Sequence, residues 1–463
     1  MFDPDDASLT TFVGRYIAEA LDRDVPAEVI DRTKIHVLDG LIAIVSGSSL
    51  RPGQFARRFV EKRATRGEST VAGTGLRTSP EMAALANGMF AHADETDDTN
   101  DLSRMHPGAS IIPGTLAVAE DRDRSGAHFL KAVVAGYDVG CAFPLAVWEP
   151  GRTLRQSVQS THGIGQLFGA MAGAAALAEL SIEQMCHVLS YTAQQASGFS
   201  ALFRDTEHTE KAFVLGGKQA HNAVTAVEMV SMGFTGVPDI LHRSPSLFDA
   251  WGTRGDPEDL RSRLNNHFEV LNCDIKRYPV GMPIQAAAQA LEEMLAEHKT
   301  ETRDVVKVVC RLPSEKAHIV DARPMPDINV QYILTIMLED GRIGFNAAHD
   351  YARLNDPDVQ RRMELVQLIH DPALDSKSAS DTTRRAEIEL TLPDGRLLEH
   401  RVDPPFGTRL NPIDWPGMAL KAHDVLGELL PAEQIDALIS SVQRLEDLPS
   451  IRDLRPLILT NEA

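Results

Sequence analysis

The period of the apolar residues, and the point where it changes, limits the folds open to this chain of 463 residues. From residue 8 to about 265 apolar side chains recur every three or four positions. Phe12, Val13, Tyr16, Ile17 and Leu21 follow a cap-like Ser8-Leu9-Thr10, and Val29, Ile30, Ile35, Val37, Leu38 and Leu41 extend the pattern after Pro26. Such spacing lines one face of a helix. It predicts helices over 80–91, 113–120, 127–137, 165–180 and 181–196, and a longer one from about Gly217 that closes at the C-cap Met232-Gly233. No stretch of five or more residues alternates in this half.

Around residue 265 the pattern changes. Val305-Val306-Lys307-Val308-Val309-Cys310-Arg311-Leu312 is a β-branched run stopped by Pro313. Ile388, Leu390 and Leu392 alternate with polar residues up to the turn Pro393-Asp394-Gly395, and Leu397, Leu398 and Val402 form the returning strand of a hairpin. Helices are expected between the strands, over 283–298 and 356–369, and again from Pro412. The expected fold is therefore mainly α. A large all-α helical domain is built from both chain ends, residues 1–267 and 406–463, and a smaller α+β lid domain occupies 268–405.

Charge narrows the partners. Against 66 Asp+Glu stand 46 Lys+Arg, a net charge of −20. Nucleic-acid binding draws on clustered cations, so no nucleic acid is expected, and an acidic membrane surface is excluded for the same reason. The apolar stretch 167–178 is too short to span a bilayer. Cys141, Cys186, Cys273 and Cys310 stand far apart without a C-x-x-C pair, which fits buried thiols in a reducing compartment. Met1 leads into Phe-Asp-Pro-Asp-Asp, with neither a basic n-region nor an apolar h-region, so a cytoplasmic location is expected. A small anionic substrate would have to be met by a local cationic pocket.

Five constellations could carry chemistry. Glu95-Thr96-Asp97-Asp98-Thr99-Asn100-Asp101, followed by Arg104 and His106-Pro107, contains a DDxxD-like run that could hold magnesium diphosphate in a prenyl-transfer enzyme, or form a solvated acidic loop. An aromatic content of 5% is poor for sheltering carbocations, and no second magnesium motif is present. His162-Gly163-Ile164-Gly165-Gln166-Leu167-Phe168-Gly169 follows no strand, so its glycines are not a dinucleotide fingerprint and are better suited to close helix packing. Lys211, Gly216-Gly217 and Lys218 offer ammonium groups and loop amides to an anion. Lys276-Arg277-Tyr278-Pro279 stands at the domain junction, and Asn329-Val330-Gln331-Tyr332 leads into an apolar run.

Taken in order along the chain, these segments resemble the MmgE/PrpD family. His92-Ala93-Asp94-Glu95-Thr96-Asp97-Asp98-Thr99 with His106-Pro107 is similar to that family's H-A-L-D-F-D-D-T…H-P block. Lys211 through Gly233-Phe234-Thr235-Gly236, Lys276-x-Tyr278-Pro279 and Gln331-Tyr332 resemble further blocks. The resemblance implies a catalytic cluster of His106, His162, Lys211, Lys276 and Tyr332, with Glu95, Thr99 and Gln285 contacting substrate. It also implies no cofactor, no metal and a homodimer, and leaves Asp97 and Asp98 a structural or orienting role. Glu95 stands where many members carry Asp, and Gln285 where several carry a histidine.

These residue types suit a polycarboxylate substrate. Removing a proton beside a carboxylate builds a dianion that needs fixed positive charge, which Lys211 and Lys276 can supply. His162 or His106 would take the proton, and the other histidine or Tyr332 would protonate a departing hydroxyl. The expected activity is that of a lyase on a small di- or tricarboxylic acid, a 2-methylcitrate dehydratase-like hydro-lyase. An iminodisuccinate-like epimerase and a cis-aconitate-like decarboxylase would share the carbanion step, and a non-catalytic carboxylate-binding protein is the rival from another class.

Overall fold

The computed structural model describes residues 3, 6–148, 159–160, 162–251, 255–298, 304–378, 381 and 384–460, with His162 described by its backbone alone. The chain is mainly α and forms two compact units, one of Met1–Ala93, Asp97–Cys273 and Leu426–Ala463, the other of Asp94–Thr96 and Asp274–Val425.

The first unit is helical, with one two-stranded ribbon, Ser69–Thr70 against Arg77–Thr78, that the apolar period does not reveal. Its centre is the pair Gly126–Val147 and His162–Ala178, flanked by Gly108–Asp121, Pro80–Ala91 and Lys218–Ser231. Small residues set the spacing of the central pair. A Cβ added at Gly140 would lie 2.9 Å from Gly169 Cα, so the two backbones touch where any side chain would force them apart. The glycines after His162 thus serve helix approach. Gly126–Val147 is long and apolar enough to cross a membrane, and it is buried in this core.

Two helices overrun their expected limits because proline is tolerated within them. Gly108–Asp121 contains Pro113, the residue at which the sequence starts the helix, and Gly126–Val147 contains Pro144 beyond the expected end at 137. A proline lacks one N–H and disturbs one turn, and dense packing on both sides outweighs that cost.

The second unit carries a four-stranded sheet in the order Val366–Asp371, Lys307–Pro313, Ala386–Thr391, Leu397–Val402. The first pair is parallel, Val308 opposite Val366, and the others are antiparallel, with Lys307 opposite Thr391 and Ala386 opposite Val402. Ala386, Ile388 and Leu390 alternate inward, and the helix Gln285–His298 covers the strands at 386–391 and 397–402. Gly395 makes the hairpin turn with φ +84°, a left-handed conformation that favours glycine.

The helix expected over 356–369 is corrected here. It stops at Met363, capped at its start by Asp356, and Val366–Asp371 becomes a strand because its β-branched and apolar residues complete the sheet beside Lys307–Pro313. The unit limits also differ from the expected 267/268 and 405/406. Glu269 stays with the helical unit through its N–H to Asp138 Oδ1 at 2.7 Å and its carboxylate to Arg263 at 2.9 Å. The helix Trp415–Leu426 lies with the second unit down to Val425, where Lys421 Nζ donates to Thr96 O at 2.9 Å.

Candidate active site

In the first unit the chain leaves the helix Pro80–Ala91 at His92 and reaches the helix Gly108–Asp121 through the acidic run. Asp98 anchors that run. Its Oδ1 accepts from the Gly108 N–H at 2.7 Å, and its Oδ2 accepts from Tyr137 Oη at 2.7 Å and His36 Nδ1 at 2.8 Å. The carboxylate thus serves an N–H at the start of the helix whose preceding residues are His106 and Pro107, where negative charge is favoured. Burial and the Asp98 charge push the Tyr137 hydroxyl well above its ordinary pKa, so it stays a donor.

Asp97, 1% exposed, faces two histidines. Its Oδ2 is 2.9 Å from His92 Nδ1 and its Oδ1 is 3.3 Å from His106 Nδ1. The two imidazoles lie 4.7 Å apart, and His208 adds a third ring 5.1 Å from His92. Burial lowers the pKa of His92; the Asp97 charge and hydrogen bond oppose that, and the charges of His106 and Lys211 add to it. His92 is therefore neutral at physiological pH, and because a carboxylate only accepts, its proton lies on Nδ1. Its Nε2 has no hydrogen-bond partner among the described residues.

Lys211 sits on the short helix Thr209–Ala212, where its N–H donates to Asp205 Oδ2 at 3.0 Å. The N-cap, His208, has φ 59°. The next turn, Phe213–Gly217, is a π-helical segment packed on the helix Pro80–Ala91, and a Cβ at Gly216 would fall within 3.4 Å of His92 Cβ. Paired glycines at 216 and 217 therefore act in packing and bring the Lys211 segment up to His92. Thr99 is buried, and its Oγ1 has no hydrogen-bond partner among the described residues. His162 opens the helix His162–Ala178; its side chain lies outside the described residues.

The second unit holds the remaining candidates. Glu95 Oε2 and Lys276 Nζ are buried 3.5 Å apart. Beside Glu95 in sequence, Asp94 accepts from the Thr96 N–H at 2.9 Å and Thr96 Oγ1 at 2.6 Å and lies 3.0 Å from His349 Nε2. His349 Nδ1 donates to Phe345 O at 2.7 Å. Burial alone would lower the pKa of His349, but the hydrogen bond and charge of Asp94, with the charge of Asp327, leave it raised. Gln285 has its amide committed to the junction loop, accepting from the Tyr278 N–H at 3.1 Å and donating to Tyr278 O at 2.9 Å and Val280 O at 2.8 Å. Tyr332 Oη donates to Ala347 O at 2.7 Å, a bond it must exchange before it can pass a proton to anything else.

The structure thus groups His106 with Asp97, His92 and Lys211 in one unit, and Glu95 with Lys276 in the other. Sequence reasoning missed His92, His208 and His349 as members of these clusters. The spacing of His92 and Asp97, five residues across a helix end, was the available signal for the first. His349 carries none, because its partner is 255 positions away. Among the described residues, His92, Asp97 and His106 are the one group of three whose ligand atoms lie within 4.8 Å of one another, close enough for a metal ion. A magnesium-diphosphate site of the DDxxD kind fits poorly: Asp98 is saturated by three donors, and Asp97 turns both oxygens toward imidazoles.

Known proteins give the same outline. The model of the MmgE/PrpD N-terminal domain matches residues 12–259, and that of the MmgE/PrpD C-terminal domain matches 278–447. Cis-aconitate decarboxylase of Homo sapiens is 25% identical over 93% of this chain and 90% of that protein. Cis-aconitate decarboxylase of Aspergillus terreus is 22% identical over 97% of this chain and 96% of its own length. The cis-aconitate decarboxylase-like protein oryM of Aspergillus oryzae is 23% identical over 98% of each chain.

Proposed function

The chain belongs to the MmgE/PrpD family, and from that premise we propose that it is a lyase acting on a small di- or tricarboxylic acid, with a carbanion beside a carboxylate as the shared intermediate. The observation that carries the reading is the buried carboxylate of Asp97 set between His92 and His106, with a lysine charge beside them. An imidazole whose far nitrogen faces a carboxylate is a competent base near neutral pH, since the anion offsets the charge the imidazole acquires. His106, the more accessible of the two, takes the substrate proton. Lys211 and Lys276 are assigned to the negative charge that builds on the substrate carboxylates, Glu95 and Thr99 to its polar groups, and Tyr332 or His162 to proton return.

The way the carbanion equivalent forms separates two activities. Loss of CO₂ breaks a carbon–carbon bond, leaves that electron pair on carbon and needs a proton delivered there rather than removed first, and the names of the three relatives favour it. Loss of water breaks a carbon–oxygen bond and requires an acid for the departing hydroxyl; a 2-methylcitrate dehydratase-like hydro-lyase is the second reading, favoured by the acid–base residues of the cluster. Incubation in D₂O with cis-aconitate, citrate, 2-methylcitrate and aspartate-derived diacids, followed by proton NMR and CO₂ release, tests both. Deuterium next to a carboxylate with CO₂ supports decarboxylation; deuterium with an alkene and no CO₂ supports dehydration. No exchange and no turnover across the panel overturns the lyase reading in favour of a carboxylate-binding protein. In the active assay His106→Ala and Lys211→Ala should each lower turnover at least ~100-fold with the fold intact, and near-normal activity in either removes that residue from the mechanism.

A further inference from the structure

We propose that Asp97 and His92 form a positioning pair for His106: Asp97 holds His106 in the tautomer that aims Nε2 at substrate, and His92 locks the Asp97 carboxylate in that orientation. The assignment of His106 as base rests on the function proposed above; the geometry of the pair does not.

Asp97 is almost wholly buried, and its two oxygens address different rings. A carboxylate bonded to one imidazole can turn about Cβ–Cγ; a second bond through the other oxygen removes that freedom. His92 supplies the second bond at 2.9 Å, and being wholly buried it has few alternative positions. The groups facing His92 are Asp97, His106, His208 and Lys211. Of these Asp97 is the one anion, so a neutral His92 avoids placing another cation beside Lys211 and leaves the single negative charge for His106. The distance of 3.3 Å from His106 Nδ1 to Asp97 is long for a finished hydrogen bond, and such contacts commonly tighten once substrate is bound.

In the proton transfer the substrate C–H bond breaks, its electron pair stays on carbon, and an N–H bond forms at His106 Nε2. The imidazolium keeps its Nδ1 proton, Asp97 stays ionised against it, and the proton leaves from Nε2 when product forms. His92 neither gains nor loses a proton in this cycle. That separates a positioning pair from a relay, in which His92 would titrate with turnover.

Long-range ¹H–¹⁵N spectra of the ¹⁵N-histidine-labelled wild type give the direct test and need no substrate. We expect Nδ1–H signatures for neutral His92 and His106; an Nε2–H signature at His106 overturns the proposal whether or not the lyase reading stands. With an active substrate in hand, Asp97→Asn, verified as folded by circular dichroism, should lower kcat by ~100-fold or more with KM within about threefold, and should change the tautomer of at least one ring. A kcat within about threefold of wild type, or a rise in KM alone, refutes the role. His92→Asn keeps a donor where Nδ1 stood and His92→Phe keeps only the ring shape. His92→Asn should exceed His92→Phe in kcat by about tenfold; equal activities overturn the part given to His92.

Discussion

Asp98→Asn tests how the fold delivers His106. In the native protein one buried carboxylate accepts three hydrogen bonds, from the Gly108 N–H, His36 and Tyr137, at 2.7–2.8 Å. A bond to a charged acceptor contributes about 1.5–3 kcal/mol and a neutral one about 0.5–1.5, so neutralising the acceptor weakens each by roughly 1 kcal/mol. The amide also turns an NH₂ toward donors, where His36 must change tautomer and Tyr137 must rotate. The expected loss is about 3 kcal/mol, roughly a 150-fold shift of the unfolding equilibrium. Urea unfolding followed by tryptophan fluorescence reads it, since Trp148 and Trp251 are both buried in the helical unit. Tyr137→Phe removes one of the three donors and should cost about 1 kcal/mol alone but distinctly less in the Asp98→Asn background, because the two side chains share one bond. Turnover should fall with stability, as the Gly108 N–H that Asp98 holds lies two residues beyond His106. A loss below about 1 kcal/mol, or strictly additive costs, would refute the three-donor account.

Two titrations follow from buried carboxylates, Asp138 and Asp94. Asp138 accepts from Tyr16 Oη and the Glu269 N–H, both at 2.7 Å, and burial lifts its pKa from 3.8 to about 7. Between those values the folded chain keeps a proton that the unfolded chain has released, so stability falls as pH rises through the window. The advantage of wild type over Asp138→Asn should shrink by ~2–4 kcal/mol from about pH 4.5 to 7.5, and a constant difference would show that Asp138 titrates normally. His349 runs in a later window: with its pKa raised by Asp94, its contribution is complete below the ordinary histidine pKa and fades as pH climbs through the folded value. Wild type should lose stability relative to His349→Gln across that range, by paired urea titrations at pH 6 to 9; parallel curves sink the ion-pair assignment.

The helical half and the sheet were legible because both rest on period. Ile388, Leu390 and Leu392 alternate as a half-buried strand must, and the Ala-rich run after His162 packs as a helix must. What stayed hidden was set by distant partners. Val366–Asp371 reads as the tail of a helix until Lys307–Pro313 is beside it, and the helix Gly108–Asp121 reads as starting at Pro113 until Asp98 is seen on the Gly108 N–H. The site shows the same division. His106, Lys211, Lys276 and Glu95 could be named as candidates from their order along the chain. Of their neighbours, His92 left one signal, its five-residue spacing to Asp97, and His349 left none, because its carboxylate partner Asp94 lies 255 positions away.

The acidic run draws these strands together. Alone, Asp94-Glu95-Thr96-Asp97-Asp98 looks like a charged surface or a cation site in a chain of net charge −20. In the structure each carboxylate has a different donor: His349 and Thr96 for Asp94, Lys276 for Glu95, His92 and His106 for Asp97, and a helix N–H with Tyr137 and His36 for Asp98. Burying four carboxylates in five residues is tolerable because each has donors of its own. Of the four, Glu95 faces a fixed cation in Lys276, while Asp97 and Asp98 keep their charge inside the protein among hydrogen-bond donors. The exposed acids produce a field that would repel an anionic substrate over a range of ~8–10 Å in physiological salt, whereas in the proposed site Lys211 and the imidazoles would act at contact distance. Added salt should screen the repulsion more than the contact, so the association of a polycarboxylate should hold or quicken as ionic strength rises from low values, the opposite of a site that works by long-range attraction.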